Sequence, residues 1–435
     1  MAGGTWSAPN KVRPGVYVNF RSEGGQSVPL GARGTVAIAK ALSWGPVGQV
    51  TPIYAGEHTG ALWLREMFKG TNVTSGPQKV LLYRLKTQGA AAASASLSGL
   101  TVTARYPGVR GNDISTKISA GVDEAGAFTV TTIVDGEAVD SQCVRAASEL
   151  TANRWVTFSG EGPLTAAAGV ALTGGADGTV QSSAYAAALE ALEPYSFDVL
   201  AYDGTDSTVR AAMAAFVQRL AGQEGRYTQL VTSGAGNVDS RFVISTNTGV
   251  VLEDGARLEP QQVVWWLAGA QAGAQYWQSL TYAAYPGAVD VTVKRTGTQI
   301  EQEILAGSIV LAQEFDAVRI ETDVNTQTTS TPEFGPVFCK NLTMRVCSSL
   351  ANDLYREFSQ NYLGKVKNDP AGRGLFQAAI LGYLKTMYEK GALRARPEAA
   401  DVTVEQGGSA DSIVIAIALL IAGAVEKIYL TVTVR

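Results

Sequence analysis

A chain of 435 residues, 46 % hydrophobic and 17 % charged, has enough apolar side chain for several packed cores, which excludes intrinsic disorder. Its 35 basic and 39 acidic residues leave a net charge of −4, without the basic surplus that wrapping a nucleic acid demands. Three cysteines, Cys143, Cys339 and Cys347, form no CxxC pair, which excludes a disulfide framework and predicts buried reduced thiols.

The first element is an arm. A Gly/Ser/Pro-rich leader (residues 2–15) precedes Val16-Tyr17-Val18-Asn19-Phe20, and a Gly-rich connector (22–27) follows. Val16, Val18 and Phe20 share one face, as in a strand. A short strand between flexible links can pair at home or join a sheet in another molecule; we expect the second. Residues 1–5 carry neither a charged nor an apolar signal-peptide region, so no secretory leader is expected.

Residues 35–39 read as a buried strand, 58–68 as a helix and 79–85 as a strand, together a strand–helix–strand unit. Residues 89–98, almost wholly Ala, Ser and Gly, read as a linker. From 101 to 178, strand-like runs broken by Asp135-Gly136 and Ser159-Gly160 predict a small β-rich insertion. Alternating helices and strands then resume: helix from 182 to about 193, strand 197–201, helix 207–221 capped by Ser207, strands 227–231 and 242–245, and a helix opened by Pro260 through 277. This spacing predicts a parallel or mixed sheet. Trp265 and Trp266 lie on a helix without Lys or Arg, so they read as core or subunit contact rather than a base-stacking platform. The Ala/Gly pattern from 268 to 274 gives that helix a smooth face for close packing.

Leu350, Leu354, Phe358 and Tyr362 predict a helix ending at Gly364. Leu375, Phe376, Ala379, Ile380, Tyr383, Leu384, Met387 and Tyr388 line one face of another, stopped by Gly391. A strand at 402–404 follows. The apolar run 413–425 is too short for a membrane helix, which needs about twenty residues; it reads as a strand covered on both sides, or in its Ala-rich half as a buried helix. The final ten residues alternate again. Ile428, Leu430, Val432 and Val434 face one way; Lys427, Tyr429, Thr431 and Thr433 face the other. Such a strand must pair with something.

Catalytic chemistry is missing. The single histidine, His58, has no GxSxG elbow to serve. Gly364-Lys365 lacks the rest of a phosphate loop, and Ser233-Gly234-Ala235-Gly236-Asn237 reads as a turn. Asp203-Gly204-Thr205-Asp206 reads as a strand end and helix cap rather than a metal site. One histidine and scattered cysteines do not make a zinc site. No enzyme, cofactor, metal site or catalytic residue is expected.

Several stretches taken together resemble the contractile tail sheath proteins of myovirus-type bacteriophages, above all the sheaths of phage-like bacteriocins and prophages of Gram-positive bacteria. They are residues 13–20, Tyr106-Pro107-Gly108-Val109-Arg110-Gly111-Asn112-Asp113, 172–178, Tyr285-Pro286-Gly287 with Asp290-Val291, Asp323-Val324-Asn325-Thr326, 364–368 with Gly372-Arg373, and the terminal Glu426-Lys427-Ile428-Tyr429 with its alternating Thr and Val.

The resemblance implies a structural subunit whose copies stack as six-membered rings, helically, around a tail tube and contract to drive the tube through a bacterial envelope. Its implied partners are itself, the tail tube protein, and the baseplate and tail terminator proteins, with no direct nucleic acid contact and no membrane insertion. Its implied place is a virion tail or phage-tail-like particle assembled in the host cytoplasm. The expected fold is a multidomain α/β and α+β protein: a mixed-sheet body, an inserted β-rich domain and exchangeable terminal strands. The expected divisions are 1–27 (N-terminal arm), 28–98 and 179–335 (body), 99–178 (insertion), 336–410 (C-terminal α+β domain) and 411–435 (C-terminal arm). Val16, Tyr17, Val18, Asn19 and Phe20, with Ile428, Tyr429, Leu430, Thr431, Val432, Thr433 and Val434, are expected to make the inter-subunit strands. Tyr17 and Tyr429 would pack on adjoining helices. The alternatives are an α/β nucleotide-binding or hydrolytic enzyme, and another self-assembling shell or tube protein.

Overall fold

The computed structural model describes residues 2–4, 15–17, 31, 33–57, 60–97, 99–121, 126–236 and 238–433. They form two compact units, one from 1–31 and 349–423, the other from 32–348 and 424–435. The helices are α1 (Leu62–Phe68), α2 (Ser182–Leu192), α3 (Ser207–Glu224), α4 (Pro260–Gly273), α5 (Gly297–Leu305), α6 (Asn341–Asn361) and α7 (Pro370–Glu389).

The larger unit is built on a seven-stranded sheet in the order Ser308–Ile309, Val243–Thr246, Gln229–Ser233, Val199–Ala201, Thr35–Lys40, Lys79–Arg84, Val50–Tyr54. Every pairing is parallel except the last. The strands are apolar on both faces because helices cover both. Val36 and Ile38 point to the side of α1 and α4, with Met67 and Trp266. Ala37 and Leu200 point to the side of α2 and α3, with Leu192, Met213 and Val217. The expected mixed sheet is therefore present. The helix expected over 58–68 occupies only Leu62–Phe68; His58 and Thr59 lie outside the described residues.

The smooth face of α4 has a clear use. A Cβ on Gly269 would lie 1.9 Å from the Met67 carbonyl oxygen, and one on Gly273 would lie 2.1 Å from that of Ser75. Any side chain there would force the helix off its neighbour. Trp266 is fully buried, stacked on Tyr285 with ring centroids 4.0 Å apart, and its Nε1 donates to the Gly70 carbonyl. The tryptophans thus belong to the core. The start of α3 differs from expectation by one residue. Asp206 is the cap, accepting from the Thr208 and Val209 amides, and the helix runs through Gly222 to a left-handed Gly225.

The β-rich insertion is a sandwich. One sheet orders Glu137–Val144, Phe128–Val134, Ile114–Ala120, Ala167–Ala171; the other orders Val156–Ser159, Leu100–Ala104, Ser94–Leu97. Asp135 (φ 52°) and Gly136 (φ 84°) make the tight turn of the first hairpin. The linker expected over 89–98 is corrected: Ser94–Leu97 is a strand and Ala93 and Ala95 are core. Small residues stand there because backbone approaches closely; Cβ atoms built on Gly111 and Gly175 would lie 3.0 and 3.2 Å from the Ala93 side chain. Cys143, expected buried, is exposed on the edge strand of this sandwich.

In the smaller unit Phe358, Tyr362 and Phe376 pack ring against ring at 4.8–5.1 Å between α6 and α7. On the predicted face of α7, Phe376, Ala379, Ile380, Tyr383, Leu384 and Met387 are buried, whereas Leu375 and Tyr388 are exposed. A hairpin of Val402–Gln406 and Ile413–Ile417 follows. The expectation of a strand covered on both sides over 413–425 is corrected. Only 413–417 is strand, its side chains alternate between half-buried and exposed, and 418–425 is not helical. A two-stranded sheet has no second layer to cover its outer face.

Candidate assembly interface

Beyond the hairpin, Ile421 bridges to Leu393, and the Ala422 amide donates to the Ala392 carbonyl. The chain is then held once more. Glu426 accepts from Lys340 Nζ (2.5 Å) and from Thr281 Oγ1 (3.1 Å). After that point the tail to Thr433 makes no strand pairing among the described residues. Ile428 is 85 % exposed, Leu430 82 % and Val432 74 %. Tyr429 is 89 % exposed and Thr431 and Thr433 are exposed. Val434 lies outside the described residues. This leaves a run of branched apolar side chains in water, without a strand partner among the described residues.

Lys340 sits beside a fully buried polar hub. Asp323 accepts from Arg345 Nη2 (2.7 Å), Gln271 Nε2 (2.7 Å), Asn341 Nδ2 (2.8 Å) and the Leu280 amide (3.2 Å). Burial pushes its pKa up, but the Arg345 guanidinium and the hydrogen bonds from Asn341 and Gln271 outweigh this and hold the carboxyl below its usual value. Asn325 donates to the Phe338 carbonyl, and Thr326 to that of Ser240. The Asp323-Val324-Asn325-Thr326 run therefore staples the segment before α6 to the sheet. The result is a rigid root from which the tail departs.

At the other arm, Gly15–Tyr17 pairs in parallel with Ala2–Gly4, placing the Val16 and Tyr17 backbone in a two-stranded sheet. Val18, Asn19 and Phe20 lie outside the described residues. The Gly31 amide donates to Asp353 (2.9 Å), which also accepts from Arg356 and Tyr383. A Cβ on Gly31 would fall 2.2 Å from the Asp353 carboxylate. Gly31 is thus clamped to α6 within the smaller unit. The hairpin of that unit is fastened at its entry and at its turn. Gln377 donates to the Ala399 and Val402 carbonyls, and Asn368 to those of Ala410 and Ser412.

An enzyme of this architecture would bind its ligand at the carboxyl ends of the strands, where the sheet order reverses. That point lies between Thr35–Lys40 and Val199–Ala201, and side chains fill it. Lys40 pairs with Asp203, Trp265 Nε1 donates to the same carboxylate (2.7 Å), and the ammonium sits 4.9 Å from the Trp265 ring centroid. The Asp203–Asp206 stretch is a strand end and cap, as expected. Among the described residues no cluster of metal-binding side chains occurs and no helix is long and apolar enough to cross a membrane.

The alternating tail was legible in the residues. The anchors were not: Glu426 with Lys340, Asp323 with Arg345, and Gly31 with Asp353 are far apart in sequence, and only the shared motif stretches at 323–326 and 426–429 hinted at two of them.

The family model for the phage tail sheath protein central domain matches residues 178–326, that for the beta-sandwich domain 87–177, and that for the C-terminal domain 334–435. The chain is 35 % identical, over 476 aligned residues spanning both proteins, to the phage-like element PBSX protein XkdK of Bacillus subtilis. A solved sheath tail protein of Desulfitobacterium hafniense is 36 % identical with a TM-score of 0.85, covering 97 % of this chain and 100 % of that one. The helical sheath of the anti-feeding prophage in its contracted state is 15 % identical with a TM-score of 0.56, covering 97 % and 99 %, a likeness of fold. These matches do not favour an enzyme or another kind of shell.

Proposed function

This chain belongs to the phage tail sheath protein family, and from that premise we propose that it polymerises as the contractile sheath of a phage tail or phage-tail-like particle. Copies stack as six-membered rings around a tail tube, between baseplate and tail terminator, and the whole assembles in the host cytoplasm. The observation that carries this reading is the unpaired tail: Ile428, Leu430 and Val432 stand in solvent beyond the anchor at Glu426. In the polymer each copy lends this strand, with Val434, to a neighbour, and lends the segment Val16–Phe20 likewise. Tyr17 and Tyr429, on the opposite faces, pack on adjoining helices.

The acceptor is the hairpin of Val402–Gln406 and Ile413–Ile417. Two strands alone make a marginal sheet, and neither pairs with a third among the described residues. Borrowed strands would complete it by β-augmentation. Each buried apolar side chain adds at roughly 25 cal/mol per Å2, so an arm contributes several kcal/mol on top of its ladder hydrogen bonds. That keeps neighbours joined while weaker surface contacts break and re-form. Contraction is then a rigid-body repacking of folded subunits that consumes no nucleotide. The repeat does not close along the axis, so it generates a helix.

Electron microscopy of the purified protein tests this. Striated hollow cylinders in a long and a short form are expected. Deleting residues 429–435 is expected to leave a soluble subunit with unchanged circular dichroism that sediments without forming cylinders. Normal cylinders from the truncated protein would sink the proposal.

A further inference from the structure

The larger unit carries a cleft of about 410 Å3 between α3, the loop entering Val243–Thr246 and the irregular segment 327–335. Arg241 dominates it. The guanidinium carbon lies 3.6 Å from the Phe334 ring centroid and 4.7 Å from that of Phe242. Two aromatic rings thereby set the plane of the cation and leave its N–H edge free to point at a ligand. No hydrogen bond or ion pair satisfies that edge among the described residues. The titratable groups facing it are Tyr227 and Cys347, and burial pushes the Cys347 thiol up to about 11, so it is neutral. The carboxylate in the cleft, Asp239, is turned to the facing segment 327–335, where it accepts from the Thr328 and Thr329 amides at 2.8 and 3.3 Å. Gln327 donates to the Thr329 and Phe334 carbonyls, so the wall that carries Phe334 is held in place.

We propose that this cleft binds a planar carboxylate and that in the polymer the carboxylate is an Asp or Glu side chain of a second copy of this chain. A guanidinium fixed flat on a ring offers two parallel N–H groups, the geometry of a bidentate carboxylate pair. The remaining walls are neutral amides and hydroxyls, and Asp239 stands close by, so a singly charged ligand fits better than a doubly charged phosphate. The chain itself supplies such ligands, with 39 acidic residues against 35 basic ones. The inference rests on polymerisation, which the test therefore reads separately.

Full-length R241K and R241Q proteins are compared with wild type. Sheaths of R241K made from a mixture of 14N- and 15N-labelled subunits are treated with a zero-length carbodiimide, and the linked peptides are mapped by mass spectrometry. The expected result is a mixed-isotope link from position 241 to an Asp or Glu, present in sheaths and absent from dispersed subunits. For R241Q, with circular dichroism unchanged, we expect the protein concentration needed for polymerisation to rise about tenfold. If R241Q does not fold, the cross-linking arm stands alone. Sheaths whose position 241 links only within one copy, or to nothing, overturn this site and leave the sheath reading intact. A wild-type protein that forms no polymer overturns both.

Discussion

Helix α4 and the terminal tail are both apolar, yet they meet opposite fates. In α4 every residue from Val263 to Gly273 is buried, packed through Gly269 and Gly273 onto neighbouring backbone. From Val425 to Val432 the apolar residues stand in water. Apolar composition alone does not assign a segment to a core. The helix satisfies its own backbone groups and packs between α1 and the sheet, whereas a tail without strand pairing leaves its N–H and C=O groups to solvent. One segment therefore stabilises the subunit, and the other contributes little to it, as the proposed role in assembly requires.

The contrast predicts how stability and polymerisation separate. Trp266→Ala empties a fully buried site and is expected to cost about 3–5 kcal/mol of subunit stability in chemical denaturation. Asp323→Asn leaves the Arg345 charge buried and unpaired, and is expected to cost about 3–5 kcal/mol at neutral pH. The Asp323 pKa is depressed on folding, so its contribution is complete above the ordinary carboxylate pKa of about 4 and is lost as pH falls below that toward the folded-state value. Melting curves across that range should show the wild type losing this advantage over Asp323→Asn. Glu426→Gln breaks a half-exposed ion pair and should change subunit stability by less than about 1 kcal/mol. Its larger effect is expected in hydrogen exchange, as faster exchange of the tail root. The double change Leu430→Asp with Val432→Asp should move stability by less than about 0.5 kcal/mol while abolishing cylinders. Destabilisation of the dispersed subunit by that pair would erase the distinction between core and tail.

What could be read in the chain was local. Asp135-Gly136 marks its turn because only certain residues tolerate positive φ there, and the predicted face of α7 shows its period in six of its buried residues. Residues 89–98 misled because Ala, Ser and Gly suit both a linker and a tight sandwich, and composition does not say whether another segment packs closely against them. Cys143 misled because its strand proved to be an edge.

Read alone, the chain showed most of the body's strands and helices, that the Trp-bearing helix is smooth and uncharged, and that the tail alternates with a period of two. These follow from neighbours along the chain, where side-chain direction is set by backbone geometry. Only the tertiary structure decided that Asp323 meets Arg345, that Glu426 meets Lys340, that Lys40 and Trp265 fill the crevice at the sheet's reversal point, and that Arg241 lies flat on Phe334. Each of those joins residues distant in sequence, and the choice among possible partners is made by which surfaces the packed sheet and helices bring face to face.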